Sequence, residues 1–196
     1  MRALTYLVAT TLDGFIAAPD GADPSSFWPV TPDYVKHLTE SYPETLPGQA
    51  RAALAIDGPG RQFDTVIEGR RSYEVGLAAG VVDAFPHLRH LVVSTTLETT
   101  ADPAVELVAS DPVTRVRELK EEDGAGVWLV GGASLAASLV EEIDRLVLKI
   151  APMTLGAGIP LWGRDAAALP RAWRPTDRTV LESGVVFAAY EPDSRM

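Results

Sequence analysis

The sequence predicts an α/β fold in which a largely parallel sheet is covered on both faces and carries an antiparallel edge. Three observations predict it. Short apolar runs alternate with stretches of helical periodicity along most of the 196 residues. Two of those runs, Asp64-Thr-Val-Ile-Glu-Gly-Arg-Arg-Ser-Tyr-Glu74 and Val127-Trp-Leu-Val-Gly-Gly-Ala-Ser-Leu135, stop at glycine and pass directly into a helical pattern. The last segments, Arg178 to Leu181 and Val185 to Tyr190 around Ser183-Gly184, read as an antiparallel hairpin.

The elements follow in order. Leu4 to Thr10 is a buried first strand, ended by a type I′ or related turn at Asp13-Gly14. A loop rich in Pro, Asp, Gly and Ser runs from Pro19 to Pro32. Thr31 caps a helix with Pro32 in its first turn, continuing through Tyr34, Val35 and Leu38 toward Tyr42. An alanine-rich helical piece covers Gly48 to Ile56 and is broken by Asp57-Gly-Pro-Gly60. Phe63 to Glu68 is a strand and Arg71 to Ala79 a short helix, with Tyr73 on its core face. His90 to Thr95 and Val105 to Ala109 are further strands. Asp111-Pro112 opens a helix that aligns Val113, Val116 and Leu119. A strand at Val127 to Val130 leads into a helix over Ser134 to Ile143, and Arg145 to Ala151 is the next strand. A glycine-rich connection, Pro152-Met-Thr-Leu-Gly-Ala-Gly-Ile-Pro-Leu-Trp162, precedes the hairpin. Neither a repeat nor a linker interrupts residues 1–196, so one domain is expected.

Composition narrows the function. Acidic residues outnumber basic ones 27 to 17, a formal charge of -10, which argues against general affinity for nucleic acid or an anionic membrane. A phosphorylated small molecule needs only a local positive patch. Without cysteine, disulfides and thiolate chemistry are excluded. His37, His87 and His90 lack metal-ligand spacing and read as surface or partly packed residues, so no metal is expected. No apolar run approaches the roughly 20 residues of a membrane span, and a cytoplasmic protein is expected.

The two glycine junctions carry the chemistry. Glycine lets the backbone turn sharply and approach a ligand closely. The helix that follows offers free N–H groups and the positive end of a dipole, which suits phosphate. At Gly131-Gly132-Ala133-Ser134 successive amides form an anion nest, with the Ser134 hydroxyl as a further donor. At Gly69-Arg70-Arg71-Ser72 a guanidinium can grip phosphate in bidentate fashion with help from Ser72, or the arginines are a surface pair beside a helix cap. Each junction also has a purely structural reading, a tight strand-to-helix turn. Together they suggest a nucleotide with more than one phosphate group, held from two sides.

The ordered set of Thr11-Leu-Asp-Gly-Phe-Ile-Ala17, Glu68-Gly-Arg-Arg-Ser-Tyr-Glu74, Val92-Val-Ser-Thr95, Leu129-Val-Gly-Gly-Ala-Ser-Leu135 and the stretch from Pro152 to Trp162 resembles the dihydrofolate reductase superfamily. The resemblance is to the branch with the reductase domain of bacterial riboflavin biosynthesis, and it runs from Leu4 to Tyr190. It implies a three-layer α/β/α domain, a homodimer, and NADPH as the cofactor for reducing a small heterocycle. It implies that Gly69, Arg70, Arg71, Ser72, Gly131, Gly132, Ala133 and Ser134 hold the cofactor, with Ser94 and Thr95 near its adenosine end. Many relatives carry an arginine beside that last pair, and here Ser-Thr-Thr stands instead. Asp13 is placed over the nicotinamide and substrate, and Asp33 is the nearest counterpart of the acidic residue that assists proton delivery in dihydrofolate reductases. Trp28, in the stretch from Phe27 to Tyr34, together with Leu155 and Gly156, lines the substrate side. Phe15 stands where riboflavin-type reductases tend to have a basic residue, which argues against a ribose-phosphate substrate. A non-catalytic, dimeric nucleotide-binding module and a broad-specificity reductase are the alternatives.

Overall fold

In the computed structural model, the described residues are 1–21, 28–58, 60–164 and 170–193. The expected position of Phe27 lies outside them. The first strand, β1 (Leu4–Thr11), is buried on both faces, as its unbroken apolar run demands. The turn after it closes with Gly14 N–H donating to the Thr11 carbonyl at 3.0 Å. Only Gly14 takes a positive φ there, +81°, so the turn is not type I′, which needs two such residues. A short strand absent from the expectation, β2 (Phe15–Ala17), follows at once.

Helix α1 (Pro32–Ser41) begins at Thr31, but the threonine hydroxyl donates to Asp33 Oδ1 instead of accepting a backbone N–H. A 3₁₀ turn at Pro43–Thr45 and helix α2 (Gly48–Ala53) lead to β3 (Phe63–Gly69). Then come α3 (Arg70–Ala78), β4 (Arg89–Val93), β5 (Glu106–Val108) and α4 (Pro112–Glu121). Asp111 caps α4 by accepting the Thr114 N–H. Strand β6 (Gly126–Gly131) runs into α5 (Ala133–Ser138), and β7 (Arg145–Ala151) follows. The two-residue β8 (Ile159–Pro160) precedes the terminal hairpin, β9 (Trp173–Val180) and β10 (Val186–Pro192).

Helix α5 stops well short of the expected Ile143. The Leu139 N–H still reaches the Leu135 carbonyl at 3.0 Å, but the next amide, Val140, bonds the Ala137 carbonyl only three residues back, and the ladder ends in that tightened turn. The chain still delivers Leu139 and Ile143 to the core with no exposed surface, so the apolar spacing identified the buried residues correctly and the helix end wrongly.

Eight strands form one sheet in the order β5-β4-β3-β6-β1-β7-β10-β9. All pairs from β5 to β7 are parallel, and β10 is antiparallel to both β7 and β9. One face packs Tyr6, Ile67 and Leu129 against Val116 and Leu119 of α4 and Leu135 of α5. The other packs Leu7, Val66, Trp128 and Phe187 against Tyr34 and Leu38 of α1. Tyr73 of α3 closes a smaller cluster with Val92 and Val105. Because β3, β4 and β6 run parallel and side by side, their carboxyl ends leave the sheet along one rim.

Candidate active site

Two of those strand ends nearly touch. A register shift between Ile67 and Glu68 brings Glu68 opposite Gly131, so β3 and β6 finish level with each other. The bends that follow are packed so closely that a Cβ on Gly69 would lie 3.3 Å from the Gly132 nitrogen and 3.7 Å from the Gly131 carbonyl. The Gly131–Gly132 peptide is cis, and Gly131 has φ +149°, a conformation that disfavours any side chain. A Cβ at Gly131 would come 3.6 Å from Ser72 Oγ on the neighbouring bend. A Cβ at Gly132 would meet no atom within 4 Å. Gly132 thus borders open space where its neighbours border protein.

Both helices leaving these bends start without a side-chain cap, at Gly69 for α3 and Gly132 for α5. Ala133, at the start of α5, is buried, and Ser134 is exposed. The positive ends of two helix dipoles therefore share a small part of the rim. The arginines divide the work. Arg70 donates to Glu74 Oε1 at 2.6 Å and to Thr96 Oγ1 at 2.7 Å, tying α3 to the turn after β4. Arg71 is exposed and has no carboxylate partner among the described residues. Ser94 is buried, and its hydroxyl accepts the Thr96 and Leu97 N–H groups, so it shapes that third bend; Thr95 beside it is exposed. Gly69 to Ser72, Ser94-Thr95 and Gly131 to Ser134 thus follow the ends of β3, β4 and β6 respectively, three neighbouring strands.

A second group gathers further along the rim, beyond β1. Asp13 accepts the Thr11 hydroxyl at 2.5 Å and the amides of Gly156 at 2.8 Å and Leu155 at 3.1 Å. Pairing of β2 with β8 and a Leu161 N–H bond to the Gly14 carbonyl join the same two segments. The structure therefore unites Asp13, Leu155 and Gly156. The Thr11 hydroxyl and the Gly156 amide hold the Asp13 carboxyl below its ordinary value.

Asp33 lies on α1 instead. Its carboxylate takes the Thr31 hydroxyl at 2.5 Å, the Ser183 amide at 2.8 Å and the Tyr34 amide at 3.0 Å, fastening α1 to the hairpin turn between β9 and β10. The Thr31 and Ser183 bonds hold it well below the usual carboxylate range. Both aspartates are therefore ionised acceptors at neutral pH, and neither stores a proton there. Trp28 packs against the cluster that contains Tyr34 and Phe187, with its indole N–H buried and unpartnered among the described residues.

Two residues with chemistry were missed in the sequence. Lys149, third from the end of β7, pairs across the sheet with Ala9 and Phe187, and its ammonium lies 6.0 Å from the centroid of the Tyr34 ring. It is half-buried and makes no ion pair with a described residue. His90 was expected at the surface or only partly packed. It is 1% exposed, and its two ring nitrogens meet Glu68 Oε1 at 2.9 Å and Asp83 Oδ1 at 2.8 Å. Periodicity placed His90 in a strand, but only the fold reveals two carboxylates across from it. No group of three or more His, Cys, Asp or Glu among the described residues suits a metal ion. No described helix is long and apolar enough to cross a membrane.

Comparison with known proteins places this geometry in context. A family model described as the RibD C-terminal domain matches residues 2–187. The uncharacterized protein YwjB of Bacillus subtilis is 27% identical over 163 residues, covering 82% of this chain and 83% of its own length. A Shewanella sp. PV-4 protein assigned provisionally to riboflavin biosynthesis superposes with a TM-score of 0.69 at 19% identity, covering 98% of this chain and 99% of its own. Dihydrofolate reductase from Enterococcus faecalis, complexed with NADP(H) and RAB-propyl, gives 0.61 at 17% identity, with coverage of 98% and 97%. The fold is dihydrofolate reductase-like.

Proposed function

The chain belongs to the RibD C-terminal domain family, and from that membership we propose that it is an NADPH-dependent reductase of a small pteridine- or pyrimidine-like heterocycle. NADPH supplies a hydride to a conjugated C=N or C=O of the acceptor. One observation carries the reading: the uncapped bends at Gly69 and Gly132 stand 3.3 Å apart by the Gly69 Cβ measure, with open space over Gly132.

The residues present fit such a cofactor. Amides of Gly132, Ala133 and Ser134 would hold the diphosphate, together with the Ser72 hydroxyl and the Arg71 guanidinium of the neighbouring bend. Arg70 lies at the third bend, where a 2′-phosphate would sit, but Glu74 and Thr96 already hold its guanidinium, so a 2′-phosphate would have to compete with Glu74 for it. Asp13 ties the 155–156 segment to the loop after β1, which would set that segment beside the bound acceptor. With Asp13 and Asp33 held as acceptors, the proton comes from water or from Lys149, whose ammonium is available to an acceptor oxygen or nitrogen.

The test is titration with NADPH, followed by quenching of tryptophan fluorescence, and then a screen of heterocyclic acceptors for loss of NADPH absorbance. Saturable binding with turnover supports the proposal, and a folded protein without binding contradicts it. Binding without turnover favours a second reading, a nucleotide-binding module that has lost catalysis. The consumption of both aspartates as structural ties favours that reading specifically. Turnover across many unrelated acceptors marks a broad-specificity reductase. A homodimer is part of the proposal: β9 forms a largely exposed sheet edge, which a second copy would cover. Light scattering after size exclusion distinguishes dimer from monomer.

A further inference from the structure

Buried Glu68 and His90 and half-buried Asp83 form a chain of three titratable groups that the proposed chemistry does not use. Glu68 is 3% exposed and His90 1% exposed. The chain lies directly behind the cofactor bend. Glu68 is the residue before Gly69 and stands opposite Gly131 in the sheet. Tyr73, in the first turn of α3, sets its ring edge against His90 with centroids 6.0 Å apart, and Phe85 covers another side at 5.7 Å. Asp83 belongs to the segment after α3, where it also accepts the Phe85 N–H.

Two hydrogen bonds between three groups need two protons. A neutral imidazole carries one, so with both carboxylates ionised one of the two contacts faces lone pair against lone pair. An additional proton satisfies both. It also removes a unit of negative charge from the residue that immediately precedes the Gly69 bend. Resting on the reading of the rim as a dinucleotide site, we propose that the Glu68–His90–Asp83 chain is the positioning network of the cofactor bend, and that cofactor binding is linked to uptake of a proton by it.

The groups facing the imidazole are consistent with this. Glu68 comes from β3, Asp83 from the segment after α3, and Tyr73 from α3 itself. Burial alone pushes His90 down, but its bonds to Glu68 and Asp83 and their charges together hold it above its ordinary value. Burial raises Glu68, against the opposing pull of His90. His87, the other nearby imidazole, is lowered by burial and turned to the Glu44 carbonyl at 2.8 Å, so it does not share the network.

The experiment is calorimetric titration of the native chain with NADPH and, in parallel, with NADH between pH 6 and 9, repeated in buffers of different ionisation heat. NADH lacks the 2′-phosphate, which itself titrates near pH 6. The native protein should take up a proton on binding either cofactor, and above the folded pKa of His90 its affinity should fall by up to about tenfold per pH unit. In His90→Gln, which keeps a side-chain donor and acceptor but cannot titrate, the slope and the proton uptake should both vanish. His90→Asn, which likewise cannot titrate, serves the same purpose should the first variant fail to fold by circular dichroism. Tight binding by the native protein with no pH slope, or a slope that survives in a folded variant, overturns the network's role. A folded native protein that binds neither cofactor at any pH overturns the dinucleotide reading itself, and this inference with it.

Discussion

At Gly132 an added side chain points into open space, whereas at Gly131, one peptide earlier, it meets an unfavourable backbone conformation. The two positions therefore separate function from stability. Gly132→Val should fold with an unchanged circular dichroism spectrum and bind NADPH at least about a hundredfold more weakly, roughly 2.7 kcal/mol. Gly131→Ala should instead lose about 1–3 kcal/mol of stability in urea titration. Unchanged NADPH affinity in Gly132→Val would move the site elsewhere. Lys149→Met should lower kcat/KM for the acceptor while leaving NADPH affinity intact, and the reverse pattern would place Lys149 on the cofactor side. The glycines were legible in the sequence because a strand that stops at glycine before a helix has few physical readings. Lys149 and His90 were not, because a cation without a partner or a histidine between carboxylates is defined by residues distant in the chain. Asp13 and Asp33 stood out as acidic residues in suggestive places, but their bonds to backbone amides only appear once the loops are folded.

Among the elements, strand identities followed from apolar runs and helix faces from spacing, while ends depended on local hydrogen bonds. Helix α5 is the clearest case. Its Leu139 lies beyond the last helical residue yet is fully buried, so Leu139→Ala should cost about 2–5 kcal/mol in denaturant unfolding, as for an interior helix residue. A cost below about 1 kcal/mol would show that the segment after Ser138 is not packed as described. The small sheet of β2 and β8 escaped notice because each strand has at most three residues and their pairing joins segments more than 140 residues apart. Its partner contact, Asp13 on the 155–156 amides, couples the two segments. Asp13→Ala should therefore raise KM for the acceptor more than the Kd for NADPH, measured separately by steady-state kinetics and titration.

For the molecule as a whole, the alternation of elements was enough to predict a parallel sheet with an antiparallel edge, and the motif order was enough to predict its family. The strand order, which makes the carboxyl ends of β4, β3 and β6 neighbours, was not encoded in any local pattern. That adjacency converts two separate turns into one site. The buried His90 also gives the molecule a pH signature. Its folded pKa is raised, so its stabilisation is fully present below the ordinary imidazole value of 6.5 and is lost as pH rises through the folded value. Glu68, raised by burial, contributes with the same sign above 4.5. The melting temperature should accordingly fall between pH 6 and 9, and His90→Gln should flatten that fall. A native melting temperature that climbs across the range would contradict the assignment. Asp13 and Asp33, both lowered, act in the opposite direction and protect the fold until pH drops below 3.8.

The most direct measurement is a crystal structure of the protein grown with NADPH. The diphosphate should lie within hydrogen-bond reach of the Gly132, Ala133 and Ser134 amides on one side and of Arg71 or Ser72 on the other, with the nicotinamide directed toward β1 and the 155–156 segment. A dinucleotide ordered on any other surface, with the rim between Gly69 and Gly132 filled by protein, would contradict the account.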